Sequence, residues 1–166
     1  MMLGMSLNVF TLVHVMICIV GIVSGFGVLF GLLNNKWSPA WTLVFLVFNV
    51  LTNVTGLMFP FNGILPSHVV AVIALVLLAI AIFALYGKSL AGPWRVIFVV
   101  TAMLALYLNV FVLIAQMFQK MPQLAALAPG GGGPVFAVTQ GLVLLLAIAL
   151  IYQAARSFGR AGVTGR

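Results

Sequence analysis

Residues Pro66–Tyr86 read PSHVVAVIALVLLAIAIFALY, and from Val69 to Leu85 every residue is Ala, Val, Ile, Leu or Phe. A run like this has no polar face at a helical period and no alternation at a strand period. It fits neither a half-buried soluble helix nor a barrel strand. In helical form, about 20 apolar residues cross the roughly 30 Å hydrocarbon core of a bilayer. The stretch therefore reads as a transmembrane helix.

Working outward, four further runs have the same character. Helices are expected over about 8–33, 40–60, 66–86, 94–118 and 134–155, within one integral membrane domain spanning 1–166. Turn chemistry separates them: Asn34-Asn35-Lys36-Trp37-Ser38-Pro39, then Pro60-Phe61-Asn62-Gly63 before Pro66, then Gly87 to Pro93. Proline at the first turn of a helix loses no hydrogen bond, which suits Pro66, Pro93 and Pro134. Connections this short make successive helices antiparallel neighbours. The longest connection, 119–133, reads as a short surface helix followed by a flexible glycine link through Gly130 to Gly133. The first run lacks a basic leader and a clear small-residue cleavage site, so a retained helix is expected rather than a signal peptide. The fold class is an all-α membrane protein, a five-transmembrane-helix bundle.

Composition agrees. The 166 residues contain no Asp or Glu, 4% are charged and 65% are hydrophobic. Mean hydropathy is +1.35 and the isoelectric point is near 10.6. Without carboxylates there is no Ser-His-Asp set, no acid pair for glycoside chemistry, and no carboxylate cage for magnesium or calcium. A proton-driven carrier would have to rely on histidine. The net charge of +7 comes from basic residues scattered singly, so no nucleic-acid footprint forms. With five spans, Lys36, Lys88, Arg95, Arg156, Arg160 and Arg166 share one side and Lys120 is on the other. Basic residues favour the cytoplasm, so the N-terminus is expected outside and the C-terminus in the cytoplasm.

The polar residues inside the runs are the candidates for function. His14, His68, Asn53, Asn109, Gln116 and Gln140 all fall toward the outer half of their helices. His14, Cys18, Gly21 and Gly25 share one helical face, and Asn49, Asn53 and Gly56 share another. Polar groups avoid lipid, so these stripes should face inward around a pocket opening outward. The plain role for such amides is interhelical hydrogen bonding, about 0.6 kcal/mol each. The sharper role is ligand binding. His14 and His68 would serve as axial ligands to a haem b if helices one and three were neighbours, or would hold a copper ion. A quinone near His14, Asn53 and Gln140 is the lipid-like alternative. Gly21 and Gly25 permit close helix approach, and Gly27 and Gly31 lie on a different side, so helix one is expected to pack in two directions. Cys18 reads as a small buried hydrophobe.

The order of these features resembles a group of small bacterial multipass predicted membrane proteins with no assigned activity. The residues carrying the likeness are Val13-His14-Val15 with the glycine-spaced run to Leu33, then Thr55-Gly56 and Pro66-Ser67-His68. The run from Tyr107 to Gln116, with Lys120 and Pro122 following, completes it. Relatives in that group often carry a His-Arg pair in the first loop, where this chain has Asn34-Asn35-Lys36. The resemblance implies the bacterial inner membrane and no particular chemistry.

The leading expectation is a non-catalytic accessory or structural subunit that contacts lipid and other membrane subunits in a larger, energy-converting complex or an oligomer. The alternative is a small haem- or quinone-binding redox protein using His14 and His68, and a solute carrier or channel is a third class.

Overall fold

A computed structural model describes residues 4–59 and 66–160. Its elements are helices α1 (Leu7–Leu33), α2 (Pro39–Leu57), α3 (Pro66–Ile82), α4 (Trp94–Lys120), α5 (Pro122–Ala125) and α6 (Pro134–Arg160). Five helices are long and apolar enough to cross a membrane, the third counted through Gly87. The chain is thus all-helical and compatible with a multipass membrane protein.

Local chemistry explains where the helices begin. Ser6 and Ser38 cap α1 and α2, their hydroxyl oxygens accepting from the amides of Val9 and Trp41, and Pro39 occupies the first turn of α2. The α1–α2 turn folds back tightly. Asn35 takes a left-handed φ of 53°, and the Lys36 amide donates to the Gly31 carbonyl at 2.7 Å. A Cβ at Gly31 would come within 2.7 Å of the Lys36 carbonyl oxygen, so glycine is required there.

The remaining boundaries differ in detail from the sequence reading. Helix α2 is regular only to Leu57, and Pro60 lies outside the described residues. Helix α3 loosens after Ile82 into a π-helical turn, Phe83–Gly87, in which the Lys88 amide reaches back to the Phe83 carbonyl. Helix α6 runs on to Arg160. Its last turns are polar, so apolar run length alone stops short of them. The 119–133 connection holds α5 and a single 3₁₀ turn, Pro129–Gly131. Gly130, Gly131 and Gly133 there take φ of 74°, 76° and 100°, which side chains with a Cβ rarely adopt.

Side-chain contacts set the register. Gly25 faces Phe45, and His14 meets Thr55, so α1 and α2 are antiparallel. Phe111 meets Gln140, Phe118 meets Phe136, and Arg95 meets Phe158, so α4 and α6 are antiparallel as well. Helix α4 is the hub, packing against α1, α2, α3 and α6. Small residues let its neighbours approach: Ala74, Ala81, Ala84, Ala102, Ala105 and Ala154 are fully buried. Phe45, Phe98, Leu32 and Leu78 fill the space between the alanine surfaces.

All four α1 glycines face the α2 side. Gly21 lies against Asn49 and Phe48, Gly25 against Phe45 and Leu106, Gly27 against the Trp41 ring, and Gly31 against the turn. The expected second packing direction for Gly27 and Gly31 is filled from within the chain. The Trp41 indole is wide enough to cover the flank that the helical wheel assigned to a separate partner.

Candidate functional site

The buried amides lie from the middle of the bundle toward the end where α1 and α6 begin, while Thr42 and Thr101 are buried toward the other end. Asn49, from the middle of α2, has no exposed surface. Its amide nitrogen donates to the Gly21 carbonyl on α1 at 3.4 Å, and its side-chain oxygen accepts from the Asn109 amide on α4. One turn further along, Asn53 donates to the Asn49 main-chain carbonyl at 2.8 Å. Asn49 therefore ties three helices together. Gln140 does the same for α6, donating to the Phe111 carbonyl of α4 at 3.0 Å. The side-chain oxygens of Gln116 and Gln140 are less well served, being buried without a hydrogen-bond partner among the described residues.

His14 sits on the next layer out. Its Nδ1 lies 2.7 Å from Thr55 Oγ1, and its Nε2 lies 3.4 Å from Cys18 Sγ. The Thr55 hydroxyl donates its proton to the Leu51 carbonyl at 2.6 Å. In the tautomer with the proton on Nδ1, the Thr55 oxygen accepts from His14 Nδ1–H and Nε2 accepts from the Cys18 thiol. Gly56 borders the ring, where a Cβ would make ordinary contact 3.6 Å from His14 Cε1, and Phe59 meets it edge-on with centroids 5.1 Å apart.

His68 is half-buried in the first turn of α3. Helix α3 packs against α2 and α4, and α1 packs against α2, α4 and α6. Among the described residues the helices bearing the two histidines share no extended seam, and both His14 ring nitrogens have partners. Among the described contacts nothing brings His14 and His68 together as a haem pair. The quinone set is also divided: Asn53 bonds within α2, while Gln140 bonds across to α4.

The opposite end is basic and aromatic. Lys36, Lys88, Arg95 and Arg156 lie there, with Trp37, Trp41, Trp94, Tyr86 and Tyr152. With no carboxylate side chain available, the cations rest on rings. Lys88 Nζ is 5.5 Å from the Phe83 centroid and 5.7 Å from that of Trp94. The Arg95 guanidinium is 4.4 Å from Phe158, and Arg156 is 5.4 Å from Tyr152. The π-helical turn presents Lys88 to its two rings. Two clefts open toward this end, one between α2 and the end of α3 at Leu46, Val50 and Tyr86, the other between α1 and α6 at Leu33 and Arg156.

Thr55 and Phe111 entered the sequence reading only as part of the family likeness, not as partners of the polar residues. The signal for Thr55 was present: it lies as far from the α1–α2 turn as His14 does, so hairpin register pairs them. Nothing in the sequence marks one main-chain carbonyl as the partner of Gln140. The chain matches no protein-family model, no curated protein and no solved structure. The resemblance to small bacterial multipass proteins thus rests on the quoted residues alone.

Proposed function

We propose that the chain is a non-catalytic multipass membrane protein, an accessory or structural subunit that joins a larger assembly or an oligomer through α6. The observation that carries this reading is the unequal burial of the spans. In the apolar stretch of α6 only 6% of residues are buried within the chain, against 44% in α4. Val138, Leu142, Leu145, Leu146 and Ile148 point outward, and around Gly141 the space is open, so another helix backbone can approach closely. The polar residues support the same reading. Asn49, Asn53 and Asn109 donate to one another and to main-chain carbonyls, and His14 is bonded to Thr55 and Cys18, which is the chemistry of helix cohesion.

The basic end is cytoplasmic in this reading and the N-terminus is outside, because Lys36, Lys88, Arg95, Arg156 and Arg160 gather opposite Lys120. The bacterial inner membrane is the corresponding address, and an energy-converting complex is the class of partner.

The test is crosslinking in native membranes. Cys18 is replaced by Ser, and a single cysteine is placed at Leu142 on α6 or at Val72 on the outer face of α3. Leu142→Cys should crosslink to a partner or to a second copy, and Val72→Cys should not. Monomer alone from both positions, together with a monomeric mass in mild detergent, would overturn the proposal.

A further inference from the structure

We propose that the cleft between the ends of α1 and α6 binds an anionic phospholipid, with Arg156 as the contact to its phosphate. The cleft is about 670 Å³, within the roughly 300–1,000 Å³ typical of small-molecule sites. Leu33 and Ala149 form its apolar side, and Asn34, Gln153, Ser157 and Arg156 form its polar rim. Ser157 Oγ donates to the Leu33 carbonyl at 3.0 Å, which fixes the two walls relative to each other.

Arg156 is held in place. Its guanidinium stacks on Tyr152, and Nη1 donates to the Tyr152 hydroxyl at 3.2 Å. The other N–H donors of the fork have no acceptor among the described residues. No Asp or Glu exists in the sequence to supply one, and a second copy of the chain brings none either. No side-chain carboxylate of this chain can pair with Arg156, so the fork is open to an anion from outside it. A lipid phosphate fits better than a free anion for two reasons. Trp37, Trp41, Trp94, Tyr86 and Tyr152 mark this level as the membrane–water interface, where lipid phosphates lie. The apolar side of the cleft also offers a bed for an acyl chain, which a free anion does not need. Basic pockets between spans are recognised lipid sites of this kind.

The experiment is native mass spectrometry of the full chain in nonionic detergent, with phosphatidylglycerol, phosphatidylcholine or glycerol 3-phosphate added. Phosphatidylglycerol should be retained about five-fold over phosphatidylcholine, the preference expected of one interfacial basic residue. Arg156→Gln should erase that preference, Arg156→Lys should keep part of it, and Lys88→Gln should leave it intact. Ala149→Trp fills the apolar side and spares the guanidinium, so it should also lose the lipid. It serves as the reading if Arg156→Gln does not fold. Equal retention of both lipids overturns the proposal. So does an Ala149→Trp variant that holds phosphatidylglycerol like the parent, which would reduce the effect to surface charge. Glycerol 3-phosphate binding as well as the lipid would overturn the acyl-chain half of the argument and the proposal with it.

Discussion

Asn49 shows how one residue ties together the interior of a helical bundle. In lipid, an amide on a helix must find partners inside the protein or face hydrocarbon. Asn49 finds them on α1 and α4 at once, and Asn53 adds a bond to its main-chain carbonyl. Asn49→Leu should therefore lower stability by about 1–2 kcal/mol, more than the average membrane hydrogen bond, because two interhelical links go together. Unfolding with increasing dodecyl sulfate in mixed micelles measures this, and a change no larger than that of an outward Val72→Ala control would refute it. His14 makes a sharper case. With both ring nitrogens engaged, His14→Ala should cost about 1 kcal/mol and leave the visible spectrum of the purified protein unchanged. A Soret band that His14→Ala abolishes would restore the haem reading.

At the level of elements, α1 and α6 use glycine in opposite ways. Gly25 is a contact point: a Cβ there would sit 2.6 Å from Leu106 Cδ1 and 2.9 Å from Phe45 Cε2. Gly25→Leu should force α1 away from α2 and α4 and destabilise the fold by about 1–3 kcal/mol or more. Gly141 on α6 has nothing within 4 Å. Gly141→Leu should change monomer stability by less than about 0.5 kcal/mol yet dissociate the assembly proposed above, as native gels would read. Both variants failing in the same way would mean that α6 is packed within its own chain. Helical spacing revealed Gly25 as a packing residue. It could not show that Trp41 covers Gly27, because that depends on the reach of a ring across an antiparallel neighbour.

Across the whole molecule, the spans were legible because the run length an apolar helix needs in lipid is so nearly fixed, and because proline and glycine punctuate the gaps. The polar stripes were legible as faces. Their partners were not, since a helical wheel carries no information about which helix stands opposite. The pairing of His14 with Thr55, 41 residues away, comes from hairpin register. The separation of α1 from α3 comes from α4 taking the centre. Membrane orientation belongs to this scale too. With Cys18 replaced by Ser, an impermeant maleimide should label Leu127→Cys in intact cells and Ser89→Cys only after permeabilisation. The reverse pattern would invert the proposed topology.

The spans are also unequal. Helix α2 has 19 residues, about 28 Å, while α1, α4 and α6 have 27 each, about 40 Å. The extra turns of α6 are not apolar, since they carry Gln153, Arg156 and Ser157. Its apolar part is therefore closer in length to α2 than the whole helix is, and the surplus lifts Arg156 clear of the hydrocarbon. A bilayer matched to α2 then holds both helices with little stretching or tilt.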